Sequence, residues 1–199
     1  MQFQFFYDFV CPFAYLATVQ VEALAARTGA TMQWRPFLLG GVLAKVGGGA
    51  VPTPARTIHS LRDQARWAEV LEVPLRVPAA HPRRTVLALR AALAAGADLP
   101  RASRALFRAY WAQGLDVEDP SVVALALSQE GLDGAALVDR APTMKDELRR
   151  RTDEAVAAGV FGAPAFVVRG RLFWGQDRMH FVEKALRGWD PPAPDEEIA

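Results

Sequence analysis

The feature that most restricts the fold of this chain is the order in which its hydrophobic period changes. Gln2-Phe3-Gln4-Phe5 alternates with a period of two and runs into Phe6 and Tyr7, which predicts a strand that becomes buried and ends at Asp8. From Pro12 the period lengthens: Phe13, Leu16, Val19 and Ala23 recur at helical spacing as far as Gly29, a residue suited to the position just past a helix end. Thr31 to Arg35 reads as a second strand stopped by Pro36. A right-handed crossover makes these two strands parallel neighbours.

Between about Gly40 and Gly159 the signals are helical. Ile58, Leu61, Ala65, Ala68 and Leu71 form one stripe and Val86, Leu89 and Leu93 another. Asp119-Pro120 is a cap followed by a first-turn proline in a helix closed by Gly131, and Thr143 opens a helix running towards Gly159. Five or six helices are expected here. Ala165 to Val168 and Arg171 to Trp174 then flank Arg169-Gly170, a hairpin pattern, and Met179, Val182 and Leu186 mark a last helix before an acidic, proline-rich tail from Pro191 that is expected to fray. The order β-α-β, helical block, β-β-α is the thioredoxin-like arrangement, an α/β fold with a large all-helical insertion. At 199 residues the chain is expected to be a single domain over 1–199, with thioredoxin-like parts at about 1–38 and 160–190 and the insertion at about 40–159.

Charge narrows the function. With 23 basic against 22 acidic residues there is no field that argues for nucleic acid or an anionic membrane. The segment Met1 to Asp8 has no basic n-region or cleavage site and already reads as a strand, so the expected location is cytoplasmic. One cysteine excludes an intramolecular disulfide, and three scattered histidines give no metal pattern; His59 and His180 are expected on helix surfaces.

The chemistry converges on three short segments. Cys11-Pro12 lies where the first strand meets the first helix, where unpaired backbone N–H groups and the helix dipole favour an anion, so an acidified thiol is expected. The alternative is a small buried cysteine. Ala14 stands where a redox dithiol motif has its second cysteine, so there is no resolving thiol. Ala163-Pro164 precedes a strand and fits the cis-proline corner that faces the active-site helix in this fold, where the backbone of Ala163 can pair with an extended peptide such as glutathione. Gln176 and Asp177 fall at the start of the last helix, as caps or as a grip on the γ-glutamyl end of that peptide.

The stretch Asp8 to Ala17, with Gly159 to Pro164 and Leu172 to Arg178, resembles the 2-hydroxychromene-2-carboxylate isomerase family, which is related to kappa-class glutathione transferases and DsbA-like thiol oxidoreductases. The resemblance covers nearly the whole chain. It implies glutathione as cofactor and isomerisation of 2-hydroxychromene-2-carboxylate, or a similar aromatic-derived unsaturated acid, through a transient glutathione adduct. It implies that Cys11 matches a residue, usually serine, that activates the glutathione sulfur, and that Pro12, Ala163, Pro164, Gln176 and Asp177 contact the cofactor. Pro54-Ala55-Arg56 resembles a segment whose basic residue reaches glutathione, which adds Arg56. Relatives also imply a possible homodimer, although no apolar helix face looks surplus to the core.

Two departures bear on the substrate. Gly47-Gly48-Gly49 stands near the place of an asparagine often found in relatives; the run reads otherwise as a flexible loop and lacks the Gly-Lys-Ser/Thr of a phosphate loop. His81-Pro82-Arg83-Arg84-Thr85 replaces a Phe-Pro-x-Asn pattern and implies an altered pocket, with Arg83 and Arg84 either meeting a substrate carboxylate or forming a solvated charge pair. A one-cysteine thiol-disulfide oxidoreductase, a kappa-like transferase and a non-enzymatic glutathione or aromatic-acid binder stay open as alternatives.

Overall fold

The structure, a computed structural model, describes residues 1–48 and 53–190. Gly49 of the glycine run and the tail from Pro191 lie outside the described residues. β1 (Gln2–Tyr7) pairs in parallel with β2 (Thr31–Pro36) and antiparallel with β3 (Ala165–Val168), which carries β4 (Arg171–Trp174) on its far side. The sheet order is β2-β1-β3-β4. α1 (Pro12–Thr28) links the parallel pair, and α9 (Met179–Leu186) follows the hairpin, so the fold is thioredoxin-like.

The alternation in β1 sorts its side chains between two cores. Phe3, Phe5 and Tyr7 face the larger cluster with α1 and the helical region, whereas Phe6 faces Phe37, Val42, Ala155, Val160 and Ala165. The hairpin turn forms at Arg169 and Gly170 with φ of 50° and 77°, the left-handed pair that a tight two-residue connection needs.

Seven α-helices lie between β2 and β3 among the described residues, more than the five or six expected: α2 (Leu39–Val46), α3 (Pro54–Val70), α4 (Val86–Ala94), α5 (Leu99–Phe107), α6 (Pro120–Ser128), α7 (Gly134–Arg140) and α8 (Lys145–Ala157). The extra ones are short, and the region around α7 shows why they are hard to read. A Cβ on Gly134 would lie 2.0 Å from the Ala124 carbonyl oxygen, so glycine lets α6 and α7 meet backbone to backbone where the hydrophobic period has nothing to mark. Asp119 caps α6 as expected, its carboxylate accepting from the Ser121 N–H, but the helix ends at Ser128 and Gly131 closes a following turn. α8 begins at Lys145, two residues past Thr143, whose hydroxyl donates to the Arg140 carbonyl within a preceding 3-10 turn.

Two buried faces differ from expectation. α1 buries Ala14, Ala17, Val21 and Leu24 and leaves Val19 and Ala23 exposed. Its first half is apolar almost all round, so spacing alone does not select the face. α3 packs on α1 through Ala68 and neighbouring Trp67 and Leu71, while Ile58 and Leu61 are 50% and 45% exposed. The N-terminal half of that stripe is therefore an apolar face without a partner among the described residues.

Candidate active site

Cys11 is the N-cap of α1, with extended φ and ψ of −91° and 115°, and Pro12 takes the first helical position. The loop that carries it is tied from three sides. Trp111 Nε1 donates to the Phe9 carbonyl at 2.7 Å, and the buried Asp8 carboxylate accepts from the Val10 N–H at 3.2 Å. Asp8 also accepts from the Leu39 N–H at 2.8 Å and the Thr85 hydroxyl at 2.5 Å, joining the starts of α2 and α4 to the loop.

The Cys11 thiol donates to the Ala163 carbonyl at 3.1 Å, across 152 residues of sequence. The Ala163–Pro164 bond is cis, and the Gly175 N–H donates to the Pro164 carbonyl at 3.0 Å, which locks the proline corner to the start of the 176–178 turn. The corner therefore faces the thiol across the N-terminus of α1.

The expected acidification of Cys11 is not found. Burial, at 8% exposure, pushes its pKa up to about 12; the Phe13 and Ala14 N–H groups pull in the opposite direction and lose, and the Asp8 charge adds to the rise. Desolvation outweighs the helix terminus because the thiolate would form out of contact with water. Cys11 is a thiol near neutral pH. At pH 8 the folded protein is expected to react with iodoacetamide about 10³-fold more slowly than free cysteine, with a rate that keeps rising above pH 9; a rate close to that of free cysteine would contradict this environment.

A cleft of about 240 Å³ opens at this corner. Ala163, Pro164, Gln176 and Asp177, all expected site residues, line it together with Phe13, whereas the expected Cys11 and Pro12 do not line it. The buried Gln176 accepts from Gln20 Nε2 at 2.8 Å through its carbonyl oxygen, and its Nε2 donors have no protein acceptor among the described residues. Asp177 is half-exposed at the lip and paired with Arg178. Arg56 is not brought into the cleft: it is exposed on the first turn of α3, where its N–H donates to the Thr53 hydroxyl. The helix instead contributes Asp63 and Trp67, one and two turns past Ser60 on the same stripe as Arg56.

Asp63, Trp67, Trp174, Gly175 and Arg178 complete the cleft and Asp8 supports the loop behind it, none of them expected as site residues. The i, i+4 spacing of Asp63 and Trp67 is the only local signal, and it resembles any half-buried helix face. Arg83 and Arg84 lie elsewhere. Arg83 pairs with Asp116 at 2.6 Å and the Arg84 N–H donates to Glu118, while His81 bonds Tyr110 and packs on Trp111. No side chain of that segment lines the cleft, so the expected change to the pocket is not found.

A lone thiol at the first turn of a helix, facing a cis-proline corner on a four-stranded mixed sheet, defines the thioredoxin class in its monothiol form. Residues 2–187 match the model of the DSBA-like thioredoxin domain. The chain is 34% identical to the 2-hydroxychromene-2-carboxylate isomerase of Sphingobium xenophagum, with 92% of this chain and 96% of that one covered. It is 24% identical to human glutathione S-transferase kappa 1, over 96% and 93% of the two chains. A solved structure of a 2-hydroxychromene-2-carboxylate isomerase superposes with a TM-score of 0.87 at 25% identity, covering 94% of this chain and 95% of the other. The chain belongs to the 2-hydroxychromene-2-carboxylate isomerase family within the DSBA-like thioredoxin domains, and it is an enzyme.

Proposed function

We propose that this enzyme uses glutathione to isomerise 2-hydroxychromene-2-carboxylate or a similar aromatic-derived unsaturated acid, with Cys11 as a hydrogen-bond donor. The observation that carries this reading is the buried Cys11 sulfur 3.1 Å from the Ala163 carbonyl oxygen at the cis-proline corner, with Ala14 in place of a second cysteine. A thiol-disulfide reductase needs a thiolate nucleophile at this position. Burial works against that, so the one-cysteine oxidoreductase is disfavoured.

The cleft suits glutathione in three respects. The backbone N–H of Ala163 has no partner among the described residues, which leaves it open to an extended peptide, while its carbonyl accepts from the Cys11 thiol. Asp177 and Arg178 present a carboxylate and a guanidinium side by side, matching the ammonium and carboxylate of a γ-glutamyl group, with the Gln176 Nε2 as a further donor. Phe13 and Trp67 give the same cleft aromatic surface for the unsaturated acid.

When bound, glutathione supplies a thiolate that adds to the unsaturated acid, permits rotation about the former double bond and departs unchanged. Pro12 fixes the first turn of α1, where the Phe13 and Ala14 N–H groups point at the Cys11 sulfur and the Cys11 S–H donates to the Ala163 carbonyl. Donors held in place before reaction stabilise a sulfur anion without reorganising as its charge changes.

Calorimetric titration with glutathione tests the cofactor assignment. Binding is expected in the wild type and about tenfold or more weaker in Asp177→Ala, the loss of a charge-assisted hydrogen bond. Absence of glutathione binding to the wild type would overturn the proposal.

A further inference from the structure

A second cleft, of about 310 Å³, forms where the start of α2, the first half of α4 and one face of α8 meet. It shares no lining residue with the cleft beside Cys11. Four cations line it, Lys45, Arg90, Lys145 and Arg149, against a single carboxylate, Asp153. Lys45 is paired with that carboxylate. Arg90, Lys145 and Arg149 have no carboxylate partner among the described residues.

Unpaired cationic charge beside apolar walls distinguishes this cleft from a solvated basic surface, and Arg90 is its half-buried member. The Arg90 Nε is buried and, like those of Arg35 and Arg101, has no hydrogen-bond partner among the described residues. Buried donors are nearly always paired in folded proteins, because an unmet one carries its full desolvation cost. A carboxylate in the cleft would pair with the Arg90 guanidinium, whose fork geometry it matches. The remaining walls are apolar, formed by Leu38, Val86 and Leu148, and Gly41 keeps the α2 side open.

We infer that this cleft is a second ligand site, built for an organic anion that joins a carboxylate to an apolar body of about one aromatic ring. The carboxylate meets Arg90, with Lys145 and Arg149 at the mouth, and the ring lies against Leu38, Val86 and Leu148. The inference stands on this cleft alone and does not depend on what binds beside Cys11.

Amide chemical-shift titration of the ¹⁵N-labelled protein tests it, with benzoate as the probe, benzamide as its neutral counterpart and inorganic phosphate as an anion without a ring. Benzoate is expected to give saturable shifts at the Gly41, Val86 and Thr152 amides at roughly millimolar concentration. Those shifts should saturate at concentrations about tenfold or more higher in Arg90→Gln and in Lys145→Gln/Arg149→Gln. The second variant alters only exposed side chains and decides the matter if the first folds poorly. No saturable shift at those three amides, shifts confined to Gly175 and Gln176, an equal response to benzamide or to phosphate, or unchanged affinity in the exposed double variant would each overturn the inference.

Discussion

Cys11→Ala is expected to slow isomerisation by about 10²- to 10³-fold, the usual cost of removing one preorganised donor to a developing or departing anion. Cys11→Ser should stay within about tenfold of the wild type, because a hydroxyl in the same place still donates. The contrast follows from the burial that holds Cys11 protonated and from its contact with Ala163. A nucleophilic cysteine gives a different pattern, in which both substitutions abolish activity. Comparing initial rates for the three proteins at saturating glutathione separates the two roles. Unchanged circular dichroism of both variants is the control that their folds are intact.

The second large effect is expected at Asp8. Its carboxylate is 1% exposed and accepts from Val10, Leu39 and Thr85, which belong to the thiol loop, the start of α2 and the start of α4. Asp8→Ala leaves three buried donors without an acceptor, so a loss of about 3 to 5 kcal/mol of stability is expected. A urea midpoint that moves down with an unchanged slope is the signature, and an unshifted midpoint would contradict the assignment. Asp8→Asn keeps one acceptor oxygen and should cost less.

The same carboxylate predicts a pH dependence. Burial raises the pKa of Asp8 above its ordinary value, and hydrogen bonds from Thr85, Leu39, Val10 and Phe9 oppose that rise without cancelling it. The folded state therefore holds this proton more tightly than the unfolded chain. Its contribution to stability is complete below the ordinary carboxyl pKa and is lost as pH rises through the raised folded value. The wild type should lose stability relative to Asp8→Asn as pH rises across that window.

The fold was legible because each of its parts has a local cause. The period-two aromatics of β1, the Arg169-Gly170 turn and the Asp119-Pro120 cap each act within a few residues, and all three are observed. The proline corner was legible through its position before a strand, and the Ala163–Pro164 bond is cis. What escaped depends on distant neighbours. The helix terminus at Cys11 predicts a low pKa, but the burial that reverses it comes from residues as far along the chain as Ala163. Asp8 looks like the end of a strand until α2 and α4 fold onto it. Arg56 and Asp63 share a stripe of α3, and only the docking of that helix on α1 decides that Asp63 lines the cleft. The exposed Ile58 and Leu61 have the same origin, since spacing reports an apolar stripe and not which half of it finds a partner.

The central claim is that the cleft at the Ala163-Pro164 corner, with Cys11 behind it, turns over an unsaturated aromatic-derived acid by means of glutathione. The most direct measurement follows the absorbance change of 2-hydroxychromene-2-carboxylate with the wild-type enzyme, with and without glutathione, while free thiol is counted at the end. The account predicts conversion that requires glutathione and leaves its concentration unchanged. Equal conversion without glutathione, stoichiometric loss of its thiol, or no conversion of this acid and its close analogues would contradict it.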